Sequence, residues 1–140
     1  MKRKHILYLA VLLAFVLAVG IVKYVVWDKP DSVNISLKTP IRRLDAKTVI
    51  DLINDADKHI IQAEQIIEIE GIVKKISYLN NRITILLGSD DKDNAFVICD
   101  MDSNQSEEVK KLSINDTIKL KGVFKGFLED AIFLNCIITE

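Results

Sequence analysis

The chain is short of the side chains on which most enzymatic sites depend. Its 140 residues include two cysteines and two histidines, His5 and His59. A histidine-based triad needs a histidine beside its nucleophile, but His5 precedes an apolar run and His59 stands alone near the end of a predicted helix. Two cysteines and one histidine also supply too few ligands for a zinc site. We therefore expect a non-enzymatic protein with no catalytic residue, metal or cofactor.

Aromatic residues and positive charge are also scarce. Aromatics make up 6% of the chain and its formal net charge is -1. After residue 27 there are 15 basic and 20 acidic residues, a net charge of -5. Proteins that bind single-stranded nucleic acid use basic grooves and stacking aromatics, and an acidic domain repels phosphates on average. The composition disfavours nucleic acid as a partner.

A few lysines on predicted strands are the exception to this acidic balance. They form a possible basic binding patch, or they are ordinary solvated positions on the outer faces of strands. The lysines concerned are Lys74, Lys75, Lys119, Lys121 and Lys125.

The N-terminal part of the chain contains a long apolar run. No charge or proline interrupts residues 6–22, and apolar residues resume after Lys23 up to Trp27. About 22 helical residues span roughly 33 Å, close to the hydrocarbon thickness of a bilayer. Lys23 is near enough to the end to reach the headgroups, and Trp27 suits the interface. We predict a transmembrane anchor over residues 6–27, with the lipid bilayer as its partner.

A cleaved signal peptide is the alternative, with basic residues 2–4 and a small-residue site at 18–20. The apolar sequence that continues beyond that site favours a retained anchor. The short basic tail, residues 1–5, predicts a cytoplasmic N-terminus. The protein would then be single-pass, with its C-terminal domain outside the cytoplasm.

Residues 28–44 contain both prolines of the chain and no sustained hydrophobic period, which predicts a linker. The domain is expected over residues 45–140. It begins with a helix that Asp45 caps and whose inward face recurs at helical spacing. The inward residues are Val49, Leu52, Ile53 and Ala56.

Short runs rich in Ile, Val and Leu follow the helix. ISYLNNRITILL predicts a hairpin through Asn80 and Asn81, which tolerate left-handed backbone. The acidic stretch 88–94 lacks the spacing of a calcium loop and is interpreted as a turn. AFVICD is a third strand, SNQSEEVKKL a short helix, and DTIKLKGVFKG and AIFLNCIIT two more strands. This mainly β order predicts a five-stranded OB-fold barrel with a leading helix and a short helix between strands three and four.

The first strand changes phase. In IEIEGIVKKIS the inward set ends at Val73, and the next apolar residue, Ile76, has the opposite parity. A bulge restores the register, and Gly71 permits a bend. Such a strand pairs with one neighbour along its first half and another along its second, which closes a small barrel. Gly122 is expected to act similarly in the fourth strand.

The ordered set LDAKTVIDLI, EIEGIVKKI, FVICD, LKGVFKG and LNC resembles the tRNA-anti-like (anticodon-binding-like) OB-fold family of small bacterial envelope proteins. The resemblance runs from about Leu44 to the C-terminus. Family members usually carry a glycine where this chain has Asn115, and many are lipoproteins. The resemblance implies a fold and no assigned activity.

Cys99 and Cys136 both have inward parity on strands that are neighbours in an OB-fold. An oxidising compartment would favour a disulfide between them. The alternative is a pair of buried free thiols.

The leading functional hypothesis is a membrane-anchored, non-enzymatic OB-fold module that presents a binding surface to a protein partner or small ligand in the bacterial cell envelope. The alternative is an OB-fold domain that binds single-stranded nucleic acid or oligosaccharide.

Overall fold

A computed structural model describes residues 2–27, 34–55, 60–89 and 94–140. The chain divides into two units, residues 1–33 and 34–140. The first unit contains helix α1 (Lys2–Trp27). Its segment Arg3–Lys23 has a mean hydropathy of 2.7 and none of it is buried, so it is long and apolar enough to cross a membrane. A signal sequence has the same properties, so the helix supports both alternatives.

The second unit is a β-barrel. Its strands are β1 (Arg42–Asp45), β2 (Ile66–Leu79), β3 (Arg82–Gly88), β4 (Val97–Met101), β5 (Thr117–Phe127) and β6 (Ala131–Thr139). Its helices are α2 (Ala46–Asn54) and α3 (Ser106–Val109), with short 3-10 turns at Ile35–Leu37 and Ser103–Gln105. β2 pairs with β3 and β5, β3 with β4, β4 with β6, and β6 with β5, so the five strands β2 to β6 close. The OB-fold prediction is confirmed.

β2 makes the predicted turn from one neighbour to the other. Ile66–Ile72 pair with β5, and Ile72–Leu79 pair with β3, with a register shift between Val73 and Lys75. A Cβ on Gly71 would lie 2.7 Å from the Cβ of Ala46. Glycine at this position therefore lets β2 approach the start of α2, and the bulge itself lies three residues further on.

The other predicted local features also form. Asp45 caps α2 by accepting a hydrogen bond from the Thr48 N–H at 3.3 Å. Asn80 and Asn81, in the hairpin, have φ of 50° and 61°, and Asn115 has φ of 75°. Asparagine is one of the few residues that adopt this left-handed backbone readily. Asn115 thus adopts a backbone conformation that glycine also adopts readily.

The barrel is filled by inward residues of all five strands and one face of α2. Phe124 and Phe133 pack with ring centroids 5.2 Å apart, and Val49 of α2 is fully buried. Val109 of α3 is also fully buried. Alternation of inward and outward residues is regular along β3 and β4. The outward residues of these two strands are therefore available to a ligand.

The structure differs from the sequence analysis before residue 45. From residue 34 onward the predicted linker belongs to the second unit, where β1 pairs in parallel with Ile67–Glu70 of β2. β1 is a four-residue strand with two exposed arginines, features that protect sheet edges from aggregation. His59 and the acidic residues 90–93 lie outside the described residues.

Candidate binding surface

The outer faces of β3 and β4 form a wall, here called the β3–β4 wall. Leu86 pairs with Ile98, and Ile98 pairs with Ile132 of β6, so three half-buried apolar residues form a row across three strands. Next to this row, Thr84 pairs with Asp100. The wall therefore has an apolar row beside a polar one.

A cleft of about 570 Å³ lies at the end of the wall where the β2–β3 hairpin meets α3. Tyr78, which is 59% exposed, supplies an aromatic ring to this hairpin cleft. Arg82 and Lys110 supply positive charge. An exposed ring beside two cations suits a planar or anionic group.

Both cations of the hairpin cleft already have acidic partners. Arg82 donates to Asp100 at 2.5 Å, and this hydrogen bond is the main reason the pKa of Arg82 is raised. Lys110 donates to Glu107 at 2.7 Å, which raises the pKa of Lys110 and lowers that of Glu107. A phosphate would have to compete with these carboxylates.

The five candidate lysines do not come together. Lys125 bonds to Glu64 at 2.7 Å, and Lys119 lies 3.8 Å from Glu70. Lys74 and Lys75 lie at the bulge of β2 and form no ion pair with a described residue. Lys125 sits beyond the start of β2, and eight residues of extended β2 separate that end from Lys74, roughly 26 Å. The proposed basic patch is therefore spread along the barrel, with Lys125 and Lys74 near opposite ends of β2 and Lys119 between them.

Lys121 differs from the other four because it is buried, with 7% of its surface exposed. Its Nζ donates to the carbonyl oxygens of Ser36 and Lys38 at 3.3 and 3.0 Å. The alternation along β5 correctly predicted that the Lys121 side chain points outward from the barrel, but residues 34–38 cover this side chain. Lys121 thus binds the protein's own backbone.

Cys99 and Cys136 are buried free thiols, so the expected disulfide is wrong. In the β4–β6 register Cys99 lies opposite Phe133, and Cys136 lies opposite Met101. The two side chains are therefore diagonal neighbours and not at bonding distance. Burial raises the pKa of Cys136 well above its ordinary value, and a hydrogen bond with Cys99 adds to the shift.

Gly122 lies directly against this thiol pair. β5 shifts register between Lys121 and Val123, as expected for a bulge. A Cβ on Gly122 would lie 2.5 Å from the Cys136 sulfur. Glycine here makes room for the thiol.

Two further clefts, of about 470 and 380 Å³, flank β1 and the start of α2 and share Asp45 and Glu70. The Thr48 hydroxyl donates to Asp45, and this bond is the main cause of that carboxyl's lowered pKa. Within the described part of the chain, no three histidine, cysteine or acidic side chains are placed to hold a metal ion.

Sequence reasoning did not find the hairpin cleft or the docking of residues 34–38. In the sequence Tyr78 fits the regular alternation of a strand, so nothing marks it as part of a cleft. Its proximity to Lys110 depends on where α3 packs. Ile35, one of a few apolar residues in an otherwise polar stretch, was the available signal for docking.

Comparison with solved structures supports the fold. A lipoprotein of Klebsiella pneumoniae subsp. pneumoniae MGH 78578 that is proposed to bind nucleic acid is 11% identical, with a TM-score of 0.57 over 80% of this chain and all of that one. Asparaginyl-tRNA synthetase of Entamoeba histolytica is 11% identical, with a TM-score of 0.46 over 71% of this chain and 24% of that one. The likeness to the Klebsiella lipoprotein, at 11% identity, shows a shared fold and nothing more.

Among curated proteins, none matches the chain. The tRNA_anti-like family profile matches residues 1–138, nearly the whole sequence. The barrel described above has the strand order of an OB-fold. The chain therefore belongs to the tRNA-anti-like family of OB-fold proteins.

Proposed function

We propose that this protein is a membrane-anchored, non-enzymatic OB-fold module that presents the β3–β4 wall to a protein partner in the bacterial cell envelope. The observation that carries the proposal is the apolar row formed by Leu86 and Ile98 of the wall and continued by Ile132 of the neighbouring strand β6. Apolar cores surrounded by polar rims are typical of protein interfaces.

Charge supports a protein partner over a phosphate polymer. Two cations beside the wall, Arg82 and Lys110, are paired with carboxylates. Lys75, opposite Leu86, forms no ion pair with a described residue, but the domain is acidic overall. The apolar helix α1 supports the anchor, and the basic tail before it supports an extracytoplasmic domain.

Photo-crosslinking in intact cells tests the partner. A photoreactive residue at Ile98 should give a discrete adduct, and the same residue at Lys47, an exposed position on α2, should not. Adducts of equal yield at both positions, or none at Ile98, would contradict the use of the wall.

Single-stranded nucleic acid is the second candidate, favoured by Tyr78 beside Arg82 and Lys110 in the hairpin cleft. Full-length protein in detergent would be titrated into a labelled oligonucleotide at low salt, with fluorescence anisotropy as the signal. Binding that weakens with salt and falls several-fold in Tyr78→Ala supports this candidate. The absence of binding at low salt excludes it.

A further inference from the structure

A buried lysine holds the N-terminal residues of the second unit against the outside of the barrel. Lys121, in the middle of β5, directs its ammonium to two backbone carbonyls, those of Ser36 and Lys38. A buried ammonium needs such acceptors because its desolvation is costly. The contact therefore holds a specific piece of backbone and could not be replaced by an apolar side chain alone.

A small apolar layer accompanies this contact. Ile35, Val123 and Ile137 are 2%, 6% and 7% exposed, yet none of them belongs to the central cluster of the barrel. The turn Ile35–Leu37 lies against β6, and Ile137 of β6 is opposite Lys121 in the register. The segment 34–38, here called the strap, thus covers the outer face of β5 and β6.

The strap is held at few points. Its turn is closed by the Lys38 N–H, which donates to the Ile35 carbonyl at 3.1 Å. The next backbone bond toward the barrel is from Ile41 to the Ile66 carbonyl at 2.9 Å. Leu37 within the turn is 87% exposed, and Thr39 after it is also exposed. Segments with so few buried contacts open at low free-energy cost compared with global unfolding.

We propose that the strap is a releasable clasp that sets how far the domain reaches from its anchor. Opening the strap frees the chain from Asn34 to Ile41, which spans at most about 25 Å when extended. Release of the strap therefore adds up to about that length of chain on the N-terminal side of the barrel, while the barrel stays folded. The change in reach rests on the membrane anchoring proposed above, whereas the clasp itself does not.

Limited proteolysis of the full chain in detergent tests the clasp. Trypsin cleaves after lysine, and Lys121 holds the carbonyl of the Lys38–Thr39 bond. Cleavage at Lys38 should be at least about tenfold faster in Lys121→Met than in the wild type, because cleavage requires local opening. Lys125→Met, on the same strand but paired with Glu64, should match the wild type. Equal rates at Lys38 in all three proteins would overturn the proposal.

Ile35→Ser provides a second variant in case Lys121→Met does not fold. This change lies on the strap itself and leaves every barrel strand intact, so it should also accelerate cleavage at Lys38. Cleavage at the wild-type rate in this variant, with a folded barrel by circular dichroism, would also overturn the clasp.

The reach is measured separately in lipid nanodiscs. A donor dye on Glu129→Cys, an exposed loop position, and acceptors on lipid headgroups report the distance of the domain from the bilayer. The distance distribution should broaden in Ile35→Ser. An unchanged distribution would contradict a role in reach. Failure of the protein to enter nanodiscs would refute the anchor and leave the proteolysis result standing.

Discussion

Gly122 and Cys136 are packed so closely that neither position accepts a larger side chain. The sulfur of Cys136 occupies the space that a Cβ on Gly122 would need. The thiol is fully buried and shares a hydrogen bond with Cys99.

Gly122→Ala should destabilise the barrel by about 1–3 kcal/mol, because overpacking forces strain on a closely packed interior. Thermal unfolding followed by circular dichroism measures the change. In a Cys136→Ala background the same substitution should cost less, since the clashing sulfur is gone. An equal cost in both backgrounds would show that the strain has another origin.

The buried thiol also makes stability depend on pH in the alkaline range. Because the pKa of Cys136 is raised in the folded state, the unfolded chain loses this proton first, above about pH 8.5. Below that pH the protonated thiol makes its full contribution to the free energy of unfolding. Above it this contribution falls, by at most about 1.4 kcal/mol per pH unit. Unfolding free energies from pH 7.5 to 10.5 should fall more steeply in the wild type than in Cys136→Ala. Parallel curves would contradict the assignment.

At the scale of elements, helix α2 depends on its first cap. Asp45→Ala removes the acceptor of the Thr48 N–H and should cost about 1 kcal/mol. The pKa of Asp45 is lowered in the folded state, so its charge stabilises above the unfolded pKa of about 3.9 and this contribution is lost as the pH falls. Its exposure makes the effect small. Asp45→Asn should keep the cap at neutral pH but lose this acid dependence, as measured by unfolding at pH 7 and pH 3.

Strand order and the bend of β2 were predictable because they follow from local signals. Alternation gives the inward face, the phase change at Val73 and Ile76 gives the bulge, and Asn80 with Asn81 gives the hairpin. β1 was not predictable, because RRLD shows no alternation and pairs only through a tertiary contact with β2. The same reasoning placed Lys121 on an outer face but had no means of showing what covers that face.

At the scale of the whole molecule, cell fractionation distinguishes the two interpretations of helix α1, a retained anchor and a cleaved signal peptide. If α1 is a retained anchor, the chain should stay in the membrane pellet after alkaline carbonate and require detergent for release. Its intact mass should equal that of 140 residues. A mass lower by the first 18–20 residues, with soluble protein, would instead establish cleavage as a signal peptide.

The candidate surface could be anticipated only in part at this scale. The OB-fold pointed to strands two and three, which correspond to β3 and β4 here. The spread of the lysines along the barrel, the carboxylate partners of Arg82 and Lys110, and the position of Tyr78 beside α3 all depend on tertiary packing. The carboxylate partners of Arg82 and Lys110, together with the acidic composition of the domain, favour a protein partner on the wall.

The two-sided pairing of β2 also determines how the barrel comes apart. β2 and β6 each hydrogen-bond to two other strands of the closed ring, so neither half of the barrel can peel away without stripping partners from the other half. Heat should therefore abolish sheet structure and core packing in one cooperative step, and a domain that loosens its strap would still melt as a single unit.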